Sequence, residues 1–167
     1  MTSFDGTPLV SIILLNYNAG ILLEECINSI YKTNYKNYEI ILVDNNSKDN
    51  SHIICKEKFP TVNLIENKKN LGYCEGNNVG IRRSNGDFVI ILNPDTIVDP
   101  QWINELLLGY EKFGDGIYQP KFLTINDKSI IQSTGNMIQL FGFGYSRNKG
   151  DKDKKQSNDI EMINYAS

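Results

Sequence analysis

The sequence predicts an α/β fold built on a mostly parallel, doubly wound sheet. Short apolar runs are typical of strands buried on both faces. The chain carries such runs at residues 9–15, 38–43 and 88–92, of which the last is wholly apolar. Between the first two runs, apolar residues recur at helical spacing over residues 21–33. Strands that alternate with helices indicate parallel strands joined by helical crossovers.

The remaining elements of this region continue the same alternation. They are a helix through residues 53–54, a strand at 62–66, a helix at 75–84, a helix at 102–113 and a strand at 117–123. Asp99 followed by Pro100 is a strong helix start, because aspartate caps the first turn and proline fits its first position. We expect the strand at 88–92 to lie at the centre of the sheet.

The character of the chain changes after residue 123, so we expect two regions, residues 1–123 and residues 124–167. The first is the α/β region, and the second begins with short, irregular strands. Residues 147–159 are rich in Lys, Asp, Asn and Ser and are predicted to form a mobile loop. The chain then ends on a strand-like run at 160–166, from which we expect truncation, with further sequence downstream.

Composition excludes several classes of protein. The net charge of −3 and the pI near 5.2 argue against a nucleic-acid partner, which requires a basic face. No apolar run reaches the roughly 18 residues of a membrane span, and the N-terminus lacks the features of a secretory signal. Cys26, Cys55 and Cys74 are odd in number and lack C-x-x-C spacing, which favours a reducing cytoplasm. We expect the three cysteines to be small apolar packing residues, and the single histidine, His52, to be solvated on a helix.

Polar side chains follow three of the predicted strands at the point where each strand ends. Asn16 and Tyr17 follow the first strand, Asp44 follows the second, and Asn93 and Asp95 follow the strand at 88–92. We expect these groups to converge, because open α/β sheets bind ligands at the carboxyl ends of their strands. Two oxygen-bearing side chains suit a hard divalent cation and the phosphates it carries. Taken alone, the Asn-Pro-Asp tripeptide is better explained as a turn.

A nucleotide fits this combination of groups. The Tyr17 ring offers a face to a base, and Asp44 can accept a hydrogen bond from a ring N–H or a ribose hydroxyl. The turn at residues 16–20 lacks the G-x-G-x-x-G that cradles a pyrophosphate, so a cation at Asp95 would neutralise the phosphates instead. The same turn has no Lys or Arg, which counts against the alternative of a nucleotidyltransferase.

Two glycines and two asparagines in the predicted helix at 75–84 need an explanation. Gly76 and Gly80 cost about 1 kcal/mol each against alanine, which indicates close approach of another group to the backbone. For Gly80 we favour packing of the helix on the sheet. Asn77 and Asn78 are poor helix formers, so we expect at least one of them to face a ligand.

Five blocks of this sequence, in order and in register, resemble a family 2 glycosyltransferase, closest to the branch that includes rhamnosyltransferase-like enzymes. The blocks are residues 10–18, 23–30, 38–49, 70–80 and 92–95. Five blocks in register are far more specific than any one of them. The resemblance implies the GT-A fold, in which a nucleotide-binding α/β sheet is followed by an acceptor-side region, here incomplete.

The resemblance also implies roles at the ends of the first two strands. Asn16 and Tyr17 would line the base pocket, and Asp44 would hydrogen-bond the base. The segment at residues 72–78, which begins with Gly72, would lie near the ribose and the donor sugar. These roles agree with the nucleotide site that the strand ends predict.

Further implied roles concern the diphosphate. Gly76, Asn77 and Asn78 would lie close to it. Asn93 and Asp95 stand where the family has a D-x-D motif, whose carboxylates bind Mg²⁺ or Mn²⁺ together with the donor diphosphate. Because the first position is asparagine, one negative charge is absent, and Asp95 is the expected metal ligand.

The activity implied by the resemblance is inverting transfer of a sugar from a UDP- or dTDP-linked donor to a glycan or lipid-linked acceptor. Such an enzyme would work in the cytoplasm, at the inner face of the membrane where the acceptor requires it. The family's carboxylate base is expected downstream of Ser167, so we assign no catalytic base. That gap motivates a second hypothesis, a nucleotide-binding module that is truncated or catalytically inert.

Overall fold

The computed structural model describes residues 6–138, 144–154, 161 and 163. By the density of internal contacts the chain divides into two compact units, residues 2–101 and residues 102–167. The first unit contains the parallel sheet with three helices, and the second contains a fourth helix and short strand pairs. The change in composition at residue 123 therefore falls within the second unit.

Four strands of the first unit form a parallel sheet in the order β3-β2-β1-β4. They are β1 Val10–Asn16, β2 Tyr38–Asp44, β3 Asn63–Glu66 and β4 Phe88–Leu92. Asn16 pairs with Asp44, and Asp44 pairs with Glu66, so three neighbouring strands end at the same level. The predicted α/β fold with a parallel sheet is confirmed.

Three helices join these strands, α1 Ile21–Tyr31, α2 Ser51–Lys58 and α3 Gly72–Ile81. Each helix carries the chain back along the sheet, as pairing of parallel strands requires. α3 begins earlier than predicted, at Gly72, whose φ of 76° is a left-handed backbone conformation that favours glycine. None of the described helices is long and apolar enough to cross a membrane.

Among the described residues the strand at 88–92 is an edge strand of this sheet, so its predicted central position is wrong there. β4 has β1 on one side, and Val89 and Ile91 are 42% and 46% exposed. The buried strands are β1, with Ile12 and Ile13 fully enclosed, and β2, with Leu42 and Val43 fully enclosed. A wholly apolar run indicates a strand, but the order of strands is set by how the helical connections cross the sheet.

Two expectations about single residues are also wrong. His52, expected to be solvated, is 5% exposed because its side chain lies against the end of β2, with Nδ1 3.3 Å from Asp44 Oδ1. Cys74, expected to pack inside, is exposed on α3. Cys26 and Cys55 are buried, as predicted for small apolar packing residues.

The described part of the second unit contains a helix and two antiparallel strand pairs. They are α4 Trp102–Phe113, β5 Phe122–Leu123 with β6 Ile131–Ser133, and β7 Asn136–Ile138 with β8 Gly144–Ser146. The predicted strand at 117–123 is too long, since only its last two residues join a ladder and Pro120 has no N–H to donate to one. The predicted strand at 160–166 lies outside the described residues, apart from Glu161 and Ile163.

The described part of the segment at 147–159 is hydrogen-bonded to its neighbours in this unit. Ile131 N donates to Asp151 O at 2.8 Å, and Gly150 N donates to Ile131 O at 2.9 Å. The Lys121 ammonium pairs with the Asp153 carboxylate at 2.7 Å. These bonds tie residues 147–154 to β6 and the chain beside it, while the predicted mobility of the segment stays a prediction.

We predict that Gly80→Ala destabilises the protein, although alanine is the better helix former. A Cβ at this position would lie 2.6 Å from Ile13 Cγ2 and 3.1 Å from Val43 Cγ2, and both side chains are fully buried. Overpacking costs about 1–3 kcal/mol, which exceeds the gain in helix propensity of about 1 kcal/mol. Urea unfolding measures the loss. Cys74→Ala, at an exposed position of the same helix, is the control, and equal unfolding midpoints for the two variants would contradict the prediction.

Candidate functional site

A cavity of about 420 Å³ opens at the carboxyl edge of the parallel sheet. Three segments of the first unit line it: the turn from β1 into α1, the start of α3 with the loop before it, and the turn after β4. The lining residues are Leu15, Tyr17, Ala19, Leu22, Asn45, Asn70, Gly72, Tyr73, Asn93, Pro94 and Asp95. A second cavity, of about 500 Å³, lies along α1 between Glu25 and Lys32, and none of the predicted site residues lines it.

The turn between β1 and α1 forms the first wall and is held by the segment after β2. Ser47 Oγ accepts a hydrogen bond from Asn18 N at 3.0 Å, and Asp49 Oδ2 accepts one from Gly20 N at 2.8 Å. Both bonds fix the backbone of the turn that follows Tyr17. Tyr17 itself is 54% exposed, so its ring is free to cover a ligand.

The side chain of Asp49, which holds the turn between β1 and α1, is a carboxylate. Burial by itself raises the pKa of the carboxyl, but hydrogen bonds from the backbone and hydroxyl of Ser51 and from Gly20 N hold that pKa below its ordinary value. The bonds from Ser51 measure 3.1 Å from N and 2.8 Å from Oγ. The carboxylate is therefore ionised at neutral pH, where it accepts all three bonds.

Asn16 and Asp44 lie behind this wall and do not line the cavity. They are 0% and 2% exposed, and Asn16 Nδ2 donates to Asp44 Oδ1 at 2.8 Å. The other oxygen of Asp44 accepts from Ser47 N at 2.9 Å. His52 Nδ1 stands 3.3 Å from Asp44 Oδ1 without the alignment of a hydrogen bond. Asp44 thus joins the ends of β1 and β2, and its burial gives no support to the predicted bond to a base.

Asn45, the residue after β2, anchors the loop that forms the second wall. It is 2% exposed. Its Oδ1 accepts hydrogen bonds from Asn67 Nδ2 at 3.1 Å and Leu71 N at 3.0 Å. Its Nδ2 donates to Asn70 Oδ1 at 2.9 Å and Gly72 O at 3.1 Å. Two bonds of each kind determine the orientation of the amide.

The segment after β4 is both a turn and the third wall of the cavity. Asn93 O accepts hydrogen bonds from Thr96 N at 3.2 Å, which closes the turn, and from Cys26 Sγ at 3.7 Å. Burial raises the pKa of the Cys26 thiol to about 12, so the thiol keeps the proton that it donates. Tyr73 OH donates to Asn93 Oδ1 at 3.3 Å and links the start of α3 to this turn.

The residues of the third wall fit a divalent cation that arrives with a phosphate ligand. Asp95 is exposed and is the one carboxylate among the described residues that line the cavity. Within the described part of the chain, no group of three or more His, Cys, Asp or Glu side chains could hold a metal ion. Mg²⁺ is commonly bound by one or two carboxylates with substrate phosphates and water. A single carboxylate beside a neutral amide, that of Asn93, suits this arrangement and not an all-protein cage.

Four of the residues predicted from the sequence therefore meet around one cavity. They are Tyr17, Gly72, Asn93 and Asp95. They come from three separate parts of the chain, and the level ends of the parallel strands bring them together. The Asn-Pro-Asp tripeptide forms a turn, and its residues also line the cavity. Its role as a cation site stays a prediction.

Three predicted residues on α3 lie away from the cavity lining. A Cβ on Gly76 would meet Leu15 Cδ1 at 2.5 Å, so this glycine lets α3 pack closely on β1. Asn77 is 3% exposed and donates from Nδ2 to Tyr73 O at 2.9 Å, within the helix. Asn78 is exposed on the helix surface. Contact of these residues with a diphosphate stays a prediction that the geometry does not support.

Sequence reasoning assigned no role to the polar lining residues Asn45 and Asn70, and it included Tyr73 only within the segment at residues 72–78. The signal for Asn45 was its place beside Asp44. Successive side chains of an extended strand point to opposite sides, so a buried Asp44 places its neighbour toward the cavity. Tyr73 carried a weaker signal, an aromatic residue directly after the glycine that begins α3.

We predict that Asp44→Asn weakens folding more than it weakens ligand binding. The substitution removes one of the two acceptors used by Asn16 and Ser47, and a buried group left unsatisfied costs about 1–3 kcal/mol. Chemical unfolding should show this loss. Affinity for a nucleoside diphosphate, measured where the variant is folded, should change by less than about twofold. Asp115→Asn, at an exposed site, is the control, and weakened affinity at unchanged stability would instead favour a direct contact with the base.

Comparison with known proteins places this chain in a family. Residues 11–163 match the model described as Glycosyl transferase family 2. The chain is 34% identical over 111 residues to an uncharacterized glycosyltransferase of Haemophilus influenzae, covering 65% of this chain and 34% of that protein. It is 36% identical over 103 residues to glycosyltransferase GlyG of Streptococcus pneumoniae, covering 60% of this chain and 34% of that one. The chain thus spans about a third of the length of these relatives.

Solved structures share the fold. A mannosyltransferase from Pyrobaculum calidifontis, in complex with GDP-Man and Mn²⁺, superposes with a TM-score of 0.57 at 24% identity, covering 62% of this chain and 32% of that one. S. aureus TarS 1-349, in complex with UDP-GlcNAc, superposes with a TM-score of 0.56 at 20% identity, covering 71% and 41%. The family match decides against the nucleotidyltransferase alternative. The chain belongs to glycosyltransferase family 2 and has the GT-A fold.

Proposed function

We propose that the cavity at the carboxyl edge of the sheet binds the nucleoside diphosphate of a sugar donor, and that the protein transfers the sugar to an acceptor hydroxyl with inversion. One observation carries the proposal. An exposed aromatic ring, the start of a helix and a single carboxylate converge on a cavity of about 420 Å³. This volume lies in the range of small-molecule sites, and its place at the strand ends is where open α/β sheets bind ligands.

The base would stack on the Tyr17 ring, which is 54% exposed. At the end of β2, the residue that lines the cavity is Asn45 and not Asp44. This edge of the cavity therefore carries no charge and does not by itself select one base. UDP, dTDP and GDP are therefore all candidate ligands, and the rhamnosyltransferase-like branch stays a hypothesis about the donor sugar.

The start of α3 supports binding of the diphosphate. Gly72 and Tyr73 both line the cavity, so the first turn of the helix borders it. The first N–H groups of a helix lack partners within the helix, and together with its dipole they attract anions. α3 has ten residues, enough for this effect to develop.

Asp95 would hold Mg²⁺ or Mn²⁺ together with oxygens of the diphosphate and water. When bound, the cation neutralises charge on the departing diphosphate. The turn closed by Thr96 N and Asn93 O positions Asp95 for this role, and Tyr73 holds the neighbouring Asn93 side chain. These bonds keep the carboxylate at the cavity wall before a ligand arrives.

Transfer also requires a base for the acceptor hydroxyl, and we propose none among the described residues. Asp127 Oδ1 accepts bonds from Ser129 N and Oγ at 2.9 and 2.7 Å, and Asp153 pairs with Lys121. Both carboxylates are thus engaged locally. We propose a glycan or lipid-linked acceptor, and a lipid-linked one would bring the protein to a membrane surface. The rival hypothesis of an inert nucleotide-binding module differs from this proposal in turnover alone.

Calorimetric titration with UDP, dTDP and GDP, each with MnCl₂, tests the donor site. We expect at least one of them to bind with a Kd of about 1 mM or tighter. Absence of binding by all three would overturn the proposal. Release of nucleoside diphosphate from a matching sugar donor, measured with an acceptor glycan, separates an active enzyme from an inert module.

We predict that Asp95→Ala reduces affinity for the bound nucleoside diphosphate in the presence of Mn²⁺ by about tenfold or more, because the site loses its one carboxylate. EDTA should weaken binding to the unchanged protein to a similar degree and should have little further effect on the variant. Asp115→Ala removes an exposed carboxylate in the other unit and is the control. Equal affinity of Asp95→Ala and the unchanged protein would leave the Asn-Pro-Asp segment with the role of a turn.

A further inference from the structure

We propose that Asn45 is a positioning residue for the donor site. Its amide holds residues 67–72 in the conformation in which Asn70, Gly72 and Tyr73 line the cavity, and its polar atoms do not bind the ligand. The role of the loop in donor binding rests on the proposed function. The hold of Asn45 on the loop is independent of what the cavity binds.

The amide of Asn45 has no hydrogen-bonding capacity left for a ligand. An asparagine side chain offers two N–H donors and one oxygen with two lone pairs. The oxygen accepts from Asn67 Nδ2 and Leu71 N, and the nitrogen donates to Asn70 Oδ1 and Gly72 O. The residue is 2% exposed, so water cannot easily take the place of these partners.

The four bonds reach both ends of the loop. Asn67 lies at its start, where its backbone N also donates to Asp44 O at 2.9 Å. Gly72 lies at its end, where its backbone N donates to Asn70 Oδ1 at 2.8 Å. One buried side chain therefore sets where α3 begins. Tyr73, the next residue, donates a hydrogen bond from its OH to Asn93 Oδ1. The loop is therefore connected to the turn that contains Asp95.

A carboxylate of the same shape cannot replace this amide. It would still accept hydrogen bonds from Asn67 and Leu71, but it has no N–H for Asn70 Oδ1 and Gly72 O. It would instead place an ionised oxygen against two oxygen acceptors, in a site that is almost fully buried. Asn45→Asp therefore preserves the shape of the side chain but replaces its N–H donors with a hydrogen-bond acceptor.

The experiment compares Asn45→Asp and Asn67→Ala with Asn34→Asp in the full chain. Asn34 is exposed in the turn before β2, at the opposite end of the sheet from the cavity, and the control adds the same charge there. Hydrogen exchange of peptides covering residues 67–73 and β1 is measured by mass spectrometry. Binding of UDP, dTDP and GDP with Mn²⁺ is measured by calorimetry.

We expect faster exchange in residues 67–73 for both test variants, with exchange in β1 unchanged. We also expect affinity for the bound nucleotide to fall about tenfold in Asn45→Asp and several-fold in Asn67→Ala. Asn67 does not line the cavity, so a loss of affinity in that variant must act through the loop. Asn34→Asp should match the unchanged protein in both measurements.

Three results would overturn the inference. Weaker binding by Asn45→Asp with unchanged exchange in the loop would show that the amide contacts the ligand. Faster exchange throughout β1 would show a general role in stability. Unchanged binding and exchange in both variants would show that the loop does not need this anchor. If the unchanged protein binds none of the three nucleotides, the proposed function fails, while the exchange data still decide whether Asn45 holds the loop.

Discussion

The alignment of β1, β2 and β3 at their carboxyl ends is the constraint on which the candidate site depends. Hydrogen bonding between the strands continues one residue past each end, from Asn45 N to Asn16 O at 2.8 Å and from Asn67 N to Asp44 O at 2.9 Å. The segments that leave these strands therefore start from fixed points at one level. A shift of register by one residue would turn Asp44 toward the cavity and Asn45 away from it, because successive side chains of a strand alternate.

Of the acidic residues at this edge, Asp44 and Asp49 support the fold and Asp95 lines the cavity. Asp44 is buried, and each of its oxygens accepts a hydrogen bond, which offsets the cost of removing a charge from water. Asp49 holds the turn of the first wall in a similar way. Asp95 is exposed at the cavity and belongs to neither group of supporting bonds. A carboxylate that does not hold the fold together in this way can change its partners when a ligand binds.

The lining of the cavity carries little negative charge, which suits a site proposed to bind a diphosphate. Asn45 and Asn93 present amides where carboxylates would repel an anionic ligand, and Asp95 is the one carboxylate in the described lining. Fewer charges lower the repulsion to be overcome, and they also leave fewer ligands for a cation. The proposed binding is therefore expected to depend strongly on Asp95, on the start of α3 and on the loop that Asn45 holds.

The sequence by itself determined the elements of the first unit, because apolar runs and helical spacing are local patterns that need no knowledge of the rest of the chain. It also identified Tyr17, Asn93 and Asp95, since each follows a strand that local signals mark, while Gly72 came from the resemblance to family 2 glycosyltransferases. Only the tertiary structure decided the order of strands, the burial of His52 and the choice between Asp44 and Asn45 as the cavity-lining residue. These features depend on which faces meet when distant segments pack. Two side chains with the same local signal can therefore differ, one supporting the fold and the other lining the cavity.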